Sequence, residues 1–222
     1  MMHRALLTSC ALASLLSAQE PPAKTHPVPE DPRWLTYAGS TDADAPGSGL
    51  HVVFVAAEQE YRAEQALPML ARLLATRAGW HCTVLFALHE GKVDPTRPTV
   101  LEDQKVVHDI PGLEHLASAD LLVVFTRFIT LPDEQLAHLN AYLDSGKPLI
   151  GIRTANHGFR GNWTYRVAGK RVDFGVDVLG GTFLGHHGGW HREATRGIVV
   201  EANHEHPILQ GVEDVFGPSD VY

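Results

Sequence analysis

Four short apolar runs, separated by stretches with helical spacing, limit what this chain can fold into more than any other feature. "HVVFVAA" (51–57), "CTVLFAL" (82–88), "LLVVFT" (121–126) and "PLIGI" (148–152) do not alternate polar with apolar residues, so each reads as a strand buried on both faces. Between the first two, Leu67, Leu70, Leu73 and Leu74 recur at helical spacing and Gly79 ends the pattern. Pro68 predicts that this helix starts near Gln65, because a missing N–H is tolerated in a first turn. Before the fourth run, Thr130 reads as an N-cap with Asp133 three residues on. Pro132 falls in the first turn, Leu136, Leu139 and Leu143 share one face, and Gly146 is the stop. Strand–helix alternation of this kind predicts an α/β domain with a doubly wound, mainly parallel sheet covered on both faces. Beyond Thr154 the pattern loosens into a Gly-rich segment to residue 192, with a further strand expected at "RGIVVEA" (196–202).

Residues 1–18 read as a secretory signal: His3 and Arg4, an apolar run from Ala5 to Leu16, then Ser17-Ala18. A lipoprotein signal ending at Cys10 ranks second. The expected location is therefore the periplasm or the medium, with no integral membrane segment, since no later stretch approaches eighteen apolar residues. Residues 19–49, rich in Pro, Ala and Asp, read as a linker or surface strap, leaving 50–222 as one domain. Only Cys82 follows the signal, so packing rather than an internal disulfide must hold the fold, and Cys82 itself reads as a small core residue. A formal net charge of -8 without a Lys/Arg run argues against nucleic acid and anionic membranes as partners. Nothing in the sequence fixes an oligomeric state.

In an open parallel sheet, ligands bind outside the carboxyl ends of the strands, where the strand order reverses. That rule selects Glu58, Glu60, Tyr61 and Arg62 after the first strand, Arg127 and Phe128 after the third, and Arg153, Thr154, Asn156 and His157 after the fourth. "GIRTANHGF" (151–159) occupies the place of a nucleophile elbow, but its central residue is Arg153. A guanidinium cannot attack carbon, so it reads as a fixed cation for a carboxylate, a phosphate or a developing oxyanion.

"EQEYRAEQALPML" (58–70), "VVFTRFITLPDEQ" (123–135), "GKPLIGIRTANHGF" (146–159), "LGGTFLGHHGGWH" (179–191) and "HPILQGV" (206–212) together resemble the trehalose-utilisation (ThuA-like) family. The resemblance covers residues 51 to 222 and implies the class I glutamine amidotransferase-like superfamily, with a flavodoxin-like three-layer sheet. It further implies carbohydrate metabolism, with oxidised (3-keto) glycosides among the substrates, and loss of the amidotransferase nucleophile. Related domains usually continue past "GPSDVY", so a short form or a truncated one is expected, with an unpaired sheet edge.

Six of the fourteen histidines lie between His157 and His206, about twice what even scatter would place there, so the segment invites a chemical reading. One reading recruits His157, His186, His187 or His191, with Glu58 or Glu60, as ligands for Zn or Mn. A second uses His157 or His187 with Glu58 or Glu60 as acid and base, and Arg127 and Arg153 against oxyanion charge on a sugar. In a third, His186 and His187 only anchor a Gly-rich loop. Tyr61, Thr154, Asn156, His186, Trp190, His191 and His206 complete the candidate sugar contacts, with Trp163 as either a stacking surface or loop packing. His51, His81, His89, His108, His115 and His138 sit at expected element ends or exposed faces and receive no chemistry. The leading expectation is an acid/base enzyme isomerising or cleaving a sugar or keto-glycoside. Alternatives are a non-catalytic carbohydrate-binding module and a metal-dependent hydrolase.

Overall fold

The computed structural model describes residues 31–58, 60–96, 107–160, 163–189 and 192–221, so the candidate signal, Cys10, Trp190 and His191 lie outside the described residues. The chain is mixed α/β, built on one five-stranded sheet. Its strands are β1 (Leu35–Tyr37), β2 (His51–Ala57), β3 (His81–Phe86), β4 (Leu121–Thr126) and β5 (Leu149–Gly151), in the order β1-β3-β2-β4-β5. β2 to β5 pair in parallel, and β1 adds an antiparallel edge against β3. All seven residues of β2 are buried, which is what a central parallel strand requires.

The sheet separates two apolar layers by the two-residue period of its strands. Val52, Phe54 and Ala56 face helix α1 (Ala63–Ala78), which turns Ala63, Leu67, Ala71 and Ala75 inward. Val53, Val55 and Ala57 face helix α2 (Asp133–Asp144), with Leu136, Leu139 and Tyr142, and the turn 113–117. On α1 the inward stripe keeps Leu67 of the expected leucines, with Leu74 partly buried beside it, but is otherwise made of alanines, and Leu70 and Leu73 are exposed. Small residues let the helix lie close to the sheet.

Both helix starts differ from the sequence expectation for local reasons. α1 begins at Ala63 because the Glu58 carbonyl accepts the Ala63 N–H (3.0 Å). Pro68 then sits in the second turn, where it removes one intrahelical bond without ending the helix. Thr130 does not cap α2, whose N-cap is Pro132 without a side-chain bond. The Thr130 backbone is instead tied to His108, its N–H donating to Nδ1 (3.1 Å) and its carbonyl accepting the His108 N–H (2.7 Å). Gly79 (φ 77°) and Gly146 (φ 67°) close the two helices in left-handed geometry, as expected.

Residues 31–49, the described part of the stretch 19–49 read from the sequence as a linker or strap, join the folded unit. They supply β1 and bury Trp34 against the edge of the His115 ring (5.2 Å). His51 and His115 are likewise buried rather than exposed, the His51 ring sharing hydrogen bonds with Ser118 Oγ and Thr83 Oγ1. Cys82 is fully buried, and burial pushes its thiol up to about 12.

Past β5, regular structure is sparse. β6 (Arg166–Val167) pairs with β7 (Lys170–Arg171), and β8 (Thr195–Gly197) with β9 (Val215–Gly217). Of the strand expected at 196–202, only the first residues are extended, and 201–203 form a turn. Ile150 on the β5 edge and Ile198, Ile208 and Phe216 beyond it are exposed. No helix among the described residues is long and apolar enough to cross a membrane.

Candidate functional site

The chain leaves β2 towards β3 on one side and later adds β4 on the other, so the strand order reverses between β2 and β4. The exits of β2, β4 and β5 therefore adjoin. Each contains a non-glycine residue with positive φ: Arg62 (60°), Phe128 (51°) and Arg153 (42°). Such geometry costs about 1–3 kcal/mol per residue and persists only where surrounding bonds enforce it. Here Phe128 N–H donates to the His157 carbonyl (3.1 Å), Ile129 N–H to that of Gly158 (2.7 Å), and Arg127 N–H to that of Ala57 (3.1 Å). Gly158 has no room for a side chain, since a Cβ there would lie 2.1 Å from Thr126 Oγ1.

The two acidic residues after β2 do different work. Glu58 is buried and takes the N–H groups of Glu60 (2.9 Å) and Tyr61 (2.6 Å) on its two carboxylate oxygens. Burial raises its pKa, opposed by those two bonds. It clamps the loop rather than facing a ligand. Glu60, by contrast, reaches across to Arg127, Oε2 to Nη2 3.1 Å, and both side chains are partly exposed.

Arg153 is fixed from three directions. Its Nη2 donates to Tyr61 Oη (2.9 Å) and to Asp220 Oδ1 (3.1 Å), its Nη1 donates to the Asp220 carbonyl (3.2 Å), and the guanidinium lies over the Tyr61 ring at 4.3 Å. Tyr61 is thus a support for Arg153. Asp220 is buried, accepts further bonds from His186 Nδ1 and Ser219 Oγ (2.9 Å), and has its carboxyl lowered to about 2, chiefly by the His186 bond. His187, next in the chain, is exposed and contributes its backbone, pairing with Val221 and so bringing Asp220 beneath His186.

His157 lies between Phe128 and Phe183, each ring centroid 4.8 Å away. Its Nδ1 meets Asn156 Oδ1 at 2.6 Å; that oxygen only accepts, so Nδ1 carries the hydrogen and Nε2 the lone pair. Burial, then the charges of Arg127, Arg160, His186 and Arg153, pulls His157 down to about 4, leaving a neutral imidazole at ordinary pH. Beside it opens a hollow of about 440 Å³ bounded by Phe128, Asn156, His157, Arg160, Phe174 and Thr182. Arg160 lies over the Phe128 ring at 3.6 Å. Trp163 lines the same hollow but is buried, with Nε1 donating to the Val172 carbonyl (2.9 Å), so it is loop packing.

The structure brings together Glu60, Tyr61, Arg127, Arg153, Asn156, His157 and His186, with Glu58 as their clamp. Thr154 is fully buried beneath them, and its Oγ1 meets no partner among the described residues. His206 lies elsewhere: its Nδ1 accepts the Ile208 N–H (3.2 Å), and it borders a separate hollow lined by Ile198, Val200 and Val215. No three His, Cys, Asp or Glu side chains gather around a common point among the described residues. Sequence reasoning missed Asp220, Phe183 and Arg160. Asp220 carries no periodic signal, because it follows the turn-forming Gly217-Pro218-Ser219. No family model, curated protein or solved structure matches this chain.

Proposed function

We propose that this is a ThuA-like enzyme of the amidotransferase-like superfamily that acts on a sugar or keto-glycoside by general acid/base chemistry. The supporting observation is the convergence, at adjoining strand exits, of a neutral imidazole (His157) that borders the 440 Å³ hollow, a partly exposed Arg127–Glu60 pair and a fixed Arg153 guanidinium. The parallel order β3-β2-β4-β5 has its reversal between β2 and β4, which supports a flavodoxin-like doubly wound sheet with its ligand at that crevice. Export, expected from residues 1–18, would bring the enzyme to sugars of the periplasm or the medium.

In this reading His157 Nε2 takes the proton from the carbon next to a sugar carbonyl. The C–H electron pair becomes the C=C of an enolate, and the carbonyl oxygen takes up negative charge. Arg127 and Arg153 stabilise that charge. Moving the proton of the hydroxyl on that carbon to the enolate oxygen, and returning the carbon-bound proton to the former carbonyl carbon, isomerises the sugar. Expelling the glycosidic oxygen with its bonding pair, and protonating it, cleaves the glycoside.

The test is turnover of keto-glycosides by the full chain. Wild type forms product, and His157→Ala lowers kcat by about 10²–10⁴-fold while calorimetric affinity changes only a few-fold. Binding without product would make the chain a carbohydrate-binding module. Failure to bind any such sugar would overturn the reading.

A further inference from the structure

Expelling a glycosidic oxygen calls for a proton donor beside the departing oxygen, on a different atom from the carbon that His157 is assigned to deprotonate. We propose that His186 is the acid of the site, with Asp220 as its positioning residue. This proposal rests on the acid/base reading above and adds a second catalytic group to it.

Three features of the geometry carry it. Asp220 is a buried carboxylate held in place by Arg153, Ser219 and His186 together, so it cannot swing away from the imidazole. A carboxylate only accepts, so the bond to His186 assigns the hydrogen to Nδ1 and leaves Nε2 as the atom that gains and loses a proton. When Nε2 is protonated, the carboxylate balances the imidazolium charge, as a buried acid does beside a catalytic histidine. The His186 side chain is 45 % exposed, which gives its ring access to solvent.

Phe183 contacts both imidazoles, its ring centroid 4.8 Å from that of His157 and 5.1 Å from that of His186, so the two imidazoles are no further apart than those two steps combined. Two like side chains thus sit in unlike surroundings, one neutral among cations and one paired with a carboxylate, which is how acid and base roles are divided. The step balances: His157 takes the carbon-bound proton, the enolate pair drives out the glycosidic oxygen, and that oxygen takes the Nε2 proton of His186. His186 then regains a proton from water, and His157 gives its own up.

The experiment uses the full chain in D₂O with a keto-glycoside, reading C–H exchange and cleavage separately, together with ¹⁵N spectra of the histidine rings. Wild type is expected to exchange and cleave, with His186 hydrogen-bearing at Nδ1. His186→Gln and Asp220→Asn should retain exchange but cleave about 100-fold more slowly or less, with little change in KM, and Asp220→Asn should lose the Nδ1-H form. Cleavage by His186→Gln at the wild-type rate overturns the acid role, as does a wild-type His186 that carries its hydrogen at Nε2. A wild type that shows the Nδ1-H form but neither exchanges nor cleaves overturns the enzymatic reading itself, and the acid role with it. A folded His186→Gln variant suffices for the decision if Asp220→Asn does not fold.

Discussion

At the scale of single residues, His157 links the site to stability. Its pKa is about 4 in the fold against 6.5 for a free imidazole, so between those values the unfolded chain binds more protons. The resulting stability is complete above about pH 6.5 and is lost as pH falls towards 4, an effect on the order of 2 kcal/mol once solvent screening of a partly exposed ring is allowed for. Denaturation midpoints measured from pH 7 to pH 4 should fall, and His157→Gln should flatten the slope in that window. An unchanged slope would mean that the imidazole is not held neutral. Residue identity was legible in the sequence where topology alone selects a position, as for Glu60, Arg127, Arg153 and His157. Role was not. Glu58 and Glu60 look alike two positions apart, yet one carboxylate is consumed by backbone N–H groups and the other reaches Arg127, a difference set by loop geometry.

At the scale of elements, the strand exits work as one piece because the turns after β4 and β5 are bonded to each other. Gly158 is where they touch. Gly158→Ala places a methyl against Thr126 Oγ1 and the Ala155 carbonyl, and should cost about 1–3 kcal/mol in thermal or denaturant unfolding while lowering turnover by displacing His157. Unchanged stability would show that the two turns can separate freely. The four parallel strands were legible because two-sided burial leaves an unbroken apolar run. Helix starts were less so, since Glu58 and His108 act on them from outside the helical pattern. The inward face of α1 was read only in part, at Leu67 and Leu74, because its alanines are too small to stand out beside Leu70 and Leu73.

At the scale of the whole molecule, the sheet extends beyond the βαβ pattern. β1 is three residues long and half polar, so no periodicity announces it, yet Trp34 just before it enters the main core. Trp34→Ala should lower unfolding free energy by about 3–5 kcal/mol in a denaturant titration, the usual cost of emptying a large aromatic site. A loss below about 1 kcal/mol would make residues 31–49 a detachable strap. His186 and Asp220 meet through the backbone pairing of His187 with Val221, and Asp220 in turn holds Arg153, so the site joins stretches of chain far apart in sequence. If this rim moves a proton on a sugar as proposed, the proton NMR signal of the hydrogen next to the carbonyl of a keto-glycoside, followed in D₂O with the full chain, should decay faster than in buffer alone with wild type, and at the buffer rate with His157→Ala. Decay at the buffer rate with wild type, under conditions where the sugar is bound, would contradict the proposal.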